Sequence, residues 1–396
     1  MAPTTTHTNR GVVLHPPKDR DSGWVAETPD GRLIRVGADA ARLLRHLDRS
    51  DDPVELAKGL GPPWTAARAQ QAVRSLAEAG LIVPPGPVPR PRRMSYCPPA
   101  SLQFTIVTST DWLARRHHLL RRVVRAPTAA ALLVMALGGL VGLGAHGHQL
   151  ADDLGTSGHG MGVVAIAMAV MLFNSLHELA HGAALVAYGG RVRRFGVMVM
   201  YGAPALFCDV TDAWRLPSRQ RCAVALAGVL ASLGLAGTAA TAYALVPGLR
   251  VPAVGTIAVL TYCSAVLNIV PFVKFDGYLA LMARVDIPHL RAKAMHDWRD
   301  LVVSTLVGAP RHPQLPSLRW APAFGFACCV TPVLLVGLGV TGLLHAAALL
   351  SVPGRVVLPV VAGAPLALVA SRLPTWSATV RAVRSRDLGP ASERRT

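Results

Sequence analysis

Charge is scarce in this chain. Asp, Glu, Lys and Arg make up 16% of its 396 residues, against about a quarter in an ordinary soluble domain, which excludes a well-solvated globule for the chain as a whole. Cysteine is limited to six residues, Cys97, Cys208, Cys222, Cys263, Cys328 and Cys329, and none belongs to a C-x-x-C pair. That excludes a thiolate metal ribbon and a disulfide scaffold, and leaves these thiols as small apolar side chains. No segment repeats at a fixed period, so an inverted-repeat transporter has no support. Nor does the chain open on an apolar run. Met1 to Gly11 is polar and the first such run begins near residue 126, so no signal peptide is expected and the N-terminal region is expected to stay in the cytosol.

What is abundant is apolar length. With 52% hydrophobic residues and a mean hydropathy of +0.39, the sequence predicts a polytopic α-helical membrane protein. Spans are expected at about 126–145, 160–188, 222–246, 251–273, 321–350 and 352–370. The net charge of +18 is a matter of placement. Nineteen Lys and Arg precede the first span, six lie between the second and third, seven between the fourth and fifth, and six follow the last. Only Arg250 and Arg355 fall in the opposite loops, so the positive-inside rule puts both termini in the cytoplasm at an inner membrane. The basic excess is topological, and no nucleic-acid partner is expected.

Ahead of the spans, residues 1–87 read as a small cytoplasmic α+β domain. Gly11 to His15, Gly23 to Thr28 and Arg32 to Val36 are strand candidates, with Pro29-Asp30-Gly31 as the turn between the last two. Helices follow over Ala38 to Leu47, Pro53 to Leu60 and Thr65 to Ala79, the last stopped by Gly80. Leu81-Ile82-Val83 is expected to return as a strand. This order resembles the winged-helix-like leader-peptide recognition domains found with ribosomally made, modified peptides. The resemblance, over about 75 residues, implies that a precursor's leader adds as a strand against Arg32 to Val36 and packs on Thr65 to Ala79. A DNA-reading winged helix and a plain structural cap are the rivals. Against DNA, the third helix offers only Arg68 and Arg74 and also carries Glu78.

Residues 88–125 read as a Pro-rich linker followed by a basic interfacial helix over Asp111 to Arg125 on the anionic inner leaflet. The membrane domain is expected over 126–371, with a basic cytoplasmic tail over 372–396.

Chemistry is concentrated in His177-Glu178-Leu179-Ala180-His181, inside an apolar run where ionisable groups are costly. Residues four apart share one helix face, so His177 and His181 can bind one Zn²⁺ while Glu178 serves as general base. A catalytic zinc needs a third protein ligand, and Asp276 is the candidate. Asn268-Ile269-Val270-Pro271 to Asp276-Gly277 ends a nearly charge-free run, and Pro271 breaks its helix. In the expected orientation both segments reach the cytoplasmic leaflet.

The H-E-x-x-H of one span and N-x-x-P-x-x-x-x-D-G two spans later resemble the site-2 protease family of intramembrane zinc metalloproteases. That resemblance covers about 160–285 and implies His177, His181 and Asp276 as metal ligands, Glu178 as general base and Asn268 as a polar group orienting the scissile peptide. Asn268 could instead bond neighbouring helices. Between the motifs, Val197 to Tyr201 with Gly202-Ala203-Pro204 reads as a re-entrant strand or hairpin whose edge could hold an extended peptide. Asp209 and Asp212 cap that loop or add charge near the metal. His146, His148 and His159 read as solvated loop histidines. The chain departs from the family at Gly228 to Ser232, where many members have Gly-Pro followed by Asn, and it has no room for a PDZ domain. The expected function is cleavage of a peptide bond at the cytoplasmic side, as leader removal from a ribosomally made, modified peptide. The alternatives are regulated cleavage of a membrane-anchored signalling protein and a non-catalytic peptide-binding or immunity protein.

Overall fold

The computed structural model describes residues 6–8, 12–17, 23–28, 33–82, 94–97, 101–107, 111–156, 161–200 and 203–349. The chain divides into two compact units, Met1–Val134 with Val170–Gly234 and Met135–Ala169 with Leu235–Thr396.

The first unit opens with an antiparallel meander of β1 (Thr6–His7), β2 (Val13–His15), β3 (Trp24–Glu27) and β4 (Leu33–Val36), in that spatial order. Strand β1 is additional to the three strands expected. Residues 29–31, the expected turn, lie outside the described residues, and the Glu27↔Leu33 pairing closes that hairpin. Three helices follow: α1 (Ala38–His46), α2 (Pro53–Leu60) and α3 (Ala66–Glu78). Their starts are written in the sequence. Asp52 caps α2 by accepting from Val54 N at 3.1 Å ahead of Pro53, and Thr65 Oγ1 accepts from Arg68 N at 3.3 Å at the head of α3. Leu14 and Ala26 of the sheet share one core with Leu43, Leu44, Leu56 and Ala69 of the helices. Leu81 also enters that core, but not from a strand. Gly80 adopts φ 73°, and Leu81 N donates to Leu76 O at 2.9 Å to close α3. The donor a strand would need is spent on the helix end. Val83 lies outside the described residues.

The largest departure from expectation falls within 88–125. Met94–Cys97 (β5) and Ser101–Val107 (β6) are strands, and they join β7 (Phe195–Met200) and β8 (Ala203–Cys208) in a second antiparallel sheet of order β5-β6-β7-β8. A linker followed directly by a helix therefore does not describe this stretch. Strand β7 is interior, paired on both sides, so the available edge next to it is β8. The expected interfacial helix is two short ones, α4 (Asp111–Ala114) and α5 (His117–Val123), separated at Arg115 and Arg116. Leu113 is buried against Ala184, Leu185, Val192 and Val224, while Trp112, Leu119 and Val123 remain exposed.

The remaining helices are α6 (Ala126–Ala145), α7 (Gly147–Thr156), α8 (Met161–Ala187), α9 (Ser218–Leu245), α10 (Pro252–Ile269), α11 (Asp276–Val285), α12 (Leu290–Val307) and α13 (Ala321–Leu349). Five of these, α6, α8, α9, α10 and α13, are long and apolar enough to cross a bilayer. They carry exposed Val141, Met168, Leu334 and Leu338, a covering suited to lipid. The chain is thus a polytopic helical protein with two small sheets. The sixth expected span, 352–370, lies outside the described residues, as does the tail.

In the second unit, Tyr262 OH of α10 donates to Ala136 O of α6 at 2.6 Å, and Tyr243 OH of α9 donates to Asp153 of α7 at 2.7 Å. After α10 the chain folds back into α11, and Gly277 permits it, because a Cβ there would collide with the Ile269 carbonyl. Arg291 holds the connecting turn through Nε to Phe272 O at 3.1 Å and reaches Cys328 O at 3.3 Å. Asp297 and Asp300, both almost fully buried, accept backbone N–H groups of Gln314 at 2.7 Å, Leu315 at 3.0 Å and His312 at 2.8 Å. These carboxylates are satisfied by a loop.

Candidate metal centre

Helix α8 carries His177 and His181 on one buried face, each 5% exposed. Their Nε2 atoms stand 3.2 Å apart. Two nitrogens bound to one tetrahedral zinc at about 2.0–2.1 Å would stand about 3.3 Å apart, so the spacing fits a shared ion. The other ring nitrogens explain why these atoms converge. Nδ1 of His181 donates to Val224 O at 2.8 Å, and since a carbonyl only accepts, the lone pair of the neutral ring lies on Nε2. Nδ1 of His177 meets Ser232 Oγ at 2.9 Å and fixes the second ring. Partners on the remote nitrogen are what orient metal-binding histidines.

Both partners come from α9, and so does the space. Gly228 faces the pair, and a Cβ added there would lie 2.6 Å from His177 Nε2 and closer still to His181 Nε2. The glycine keeps open the volume that an ion would fill. His177, His181 and Asp276 each offer one ligand atom, and these atoms all lie within 4.8 Å of one another. Two imidazoles and one carboxylate form a donor set that could hold a metal ion.

Glu178 is placed differently. Its Oε2 accepts from the backbone N–H of Cys208, at the end of β8, at 3.1 Å. Antiparallel alternation then turns the Leu206 N–H outward on the same edge, while Pro204, which follows at the next such position, has no donor to leave unpaired. Burial, with Glu178 and Asp209 adjacent, pushes the Cys208 thiol up to about 12, so it remains a neutral side chain at physiological pH. No disulfide joins Cys208, Cys222, Cys263, Cys328 or Cys329.

Asn268 Nδ2 donates to Ser264 O of its own helix at 3.1 Å. Asp209 and Asp212 are loop caps. Asp209 accepts from Thr211 N at 3.1 Å and Arg194 Nε at 3.1 Å, and Asp212 from Arg191 N at 2.8 Å and Arg215 Nη1 at 3.0 Å. His146 Nδ1 meets Gly142 O at 3.0 Å and finishes α6, and His159 lies outside the described residues. No protein family, curated protein or solved structure matches the chain.

Ser232 and Val224 escaped sequence reasoning. A serine in an apolar helix carries no motif, and a carbonyl is invisible in sequence. Ser232→Ala should lower metal affinity about 10- to 100-fold, as loss of an orienting partner does. Competition with a chelator on the purified protein reads this, and an unchanged affinity would remove Ser232 from the site.

A second electrostatic cluster fastens the first sheet to the loop before β7. Arg193 Nη2 reaches Glu27 Oε1 at 2.7 Å, His15 Nε2 meets Glu27 Oε2 at 2.9 Å, and β4 borders the 3-10 turn Thr211–Arg215. The His15 hydrogen bond, followed by the Arg193 charge and opposed by burial, holds the Glu27 carboxyl below its ordinary range. A lowered folded-state pKa means the clasp is intact above the unfolded value and is lost as pH falls through the folded one. Hydrogen-exchange protection at residues 24–27, relative to the intrinsic rate at each pH, should therefore fall as pH drops through the lowered Glu27 value, and Glu27→Gln should show the same loss of protection at neutral pH.

Proposed function

We propose that this chain is an intramembrane zinc metalloprotease of the site-2 type, cutting a peptide bond at the cytoplasmic end of its helices. Leader removal from a ribosomally made, modified peptide is the reaction we assign to it. The observation that carries this reading is the convergence of two remotely anchored imidazoles on a space kept clear by Gly228.

His177, His181 and Asp276 would hold the ion, and two nitrogens with one carboxylate oxygen suit Zn²⁺. When bound, zinc supplies a Lewis acid for the scissile carbonyl and the attacking water. Glu178, fixed by the Cys208 N–H, takes the proton of that water and returns it to the departing amine nitrogen. The edge of β8 accepts an extended substrate through main-chain hydrogen bonds within reach of Glu178. Asn268 is assigned to orienting that peptide.

Substrate arrives from the cytosol, on the side where 38 of the 40 Lys and Arg are expected. Strand β4 is the edge of the first sheet, and a groove of about 580 Å³ between α1 and α3 includes Leu43, Trp64, Arg68 and Ala72. Both suit a leader peptide that adds to the sheet and packs on α3. Removing residues 1–90 leaves β5 to β8 intact, and should cost a leader-bearing substrate at least about 10-fold in kcat/KM, a loss of one modest peptide contact set. Equal cutting by the truncated chain would instead favour a membrane-anchored signalling protein as substrate. Metal analysis of the detergent-purified protein, with cleavage of a candidate precursor before and after chelation, tests the whole reading. Cleavage should disappear on chelation and return with added Zn²⁺, and a protein that binds no metal and cuts nothing would overturn it.

A further inference from the structure

All five arginines between 111 and 125 are exposed, and only His117 among the basic residues of this stretch is half-buried; what separates them is which ones line a pocket. His117, Arg121 and Arg125 line a pocket of about 510 Å³ together with Tyr188 and Gly189, just past α8, and Gln220, in the first turn of α9. No Asp or Glu lines it, and the apolar Val124 and Ala187 complete its lining. Arg125 immediately precedes α6, so the pocket gathers the ends of three helices that are each long enough to cross a bilayer.

This position has a chemical meaning. The ends of membrane spans lie at the depth of lipid phosphates, and two guanidinium forks with a tyrosine and an amide form a donor set for phosphate oxygens. The Arg125 Nε bond to Arg121 O at 3.1 Å engages one nitrogen of that guanidinium and does not use the terminal two. The first turn of α9 adds the positive end of its helix dipole. Arg115, Arg116 and Arg122 belong to the same basic stretch but do not line the pocket, so they distinguish a shaped site from a diffuse charge.

We infer that the pocket formed by His117, Arg121, Arg125, Tyr188 and Gln220 binds a phosphate group, either the phosphodiester of an anionic phospholipid or a free phosphate. Bound lipid would pin the starts of α6 and α9 and the end of α8 to one another at the membrane face. The inference needs the membrane reading of these helices and not the protease reading.

The test uses the full chain in neutral detergent, with bound species followed by native mass spectrometry. Phosphatidylglycerol, phosphatidylcholine and inorganic phosphate are each titrated against wild type, Arg121→Gln, Arg125→Gln, the double variant, and the charge-matched Arg115→Gln/Arg122→Gln. Phosphatidylglycerol should be retained at least about 10-fold better than phosphatidylcholine. Each single pocket variant should lose about 3-fold of that affinity and the double at least about 10-fold, in line with the strength of charge-assisted bonds. The charge-matched control should remain within about 2-fold. Binding of inorganic phosphate with the same variant dependence, without phosphatidylglycerol, would keep the phosphate site and assign a soluble source. Equal losses in the pocket and control variants, or no binding of any of the three probes, would overturn the inference. The single variants decide the matter should the double fail to fold.

Discussion

Glu178→Gln should reduce cleavage by a factor of about 10²–10⁴, the range a positioned general base contributes, while the metal content stays at the wild-type level. The geometry separates the two roles. Glu178 is outside the group formed by His177, His181 and Asp276, and its carboxylate is engaged by the Cys208 N–H. Glutamine preserves the side-chain oxygen that accepts this bond and removes only the basicity. The fold and the strand edge should therefore survive, and hydrogen exchange at Cys208 should match wild type. If the variant cuts at the wild-type rate, proton transfer does not pass through this residue and the proposed chemistry is wrong. If it loses metal together with activity, Glu178 is a ligand and not a base.

Gly228→Ala should empty the site by a different route. The added methyl carbon would occupy the space between the two Nε2 atoms, 2.6 Å from one of them. Either the rings turn away and break their bonds to Ser232 and Val224, or the ion is excluded. In both cases retained zinc should fall from about one equivalent to below about 0.1, as expected when a metal site loses its ligand geometry. Helix propensity changes in the opposite direction, since alanine favours a helix interior by up to about 1 kcal/mol over glycine. Loss of metal in a chain that folds at least as well would thus locate the effect at the imidazoles. Full zinc occupancy in this variant would place the metal elsewhere, or nowhere.

The parts of this protein that follow local rules could be read from the sequence. Asp52 before Pro53, Thr65 and Gly80 mark the ends of α2 and α3 because caps act within one turn. The five apolar helices are legible for the same kind of reason, since a bilayer demands about 20 apolar residues in succession. The histidine pair follows from a four-residue spacing on one helix. What escaped was nonlocal. Strands β5 and β6 hide beside a proline-rich stretch because β6, to which β5 pairs, is held in turn by β7, about a hundred residues later in the chain, and short strands carry little signal of their own. Residues 276–307 form α11 and α12, helices without a transmembrane run to announce them. Ser232 and the Val224 carbonyl act only once α8 and α9 are side by side, and neither residue type names its own role.

The second sheet also fixes an order of events during synthesis. Ser101 pairs with Met200, and the intervening chain contains α6 and α8. The ribosome therefore releases β6 long before β7 exists, and both helices are made before the pair can form. Cys208, which steadies Glu178, and Ser232 and Val224, which steady the histidines, emerge later still. On the proposed reading, a nascent chain holding the two histidines alone would be chemically mute, and cutting ability would arise only once the fourth apolar helix, α10, had emerged with Asp276 behind it.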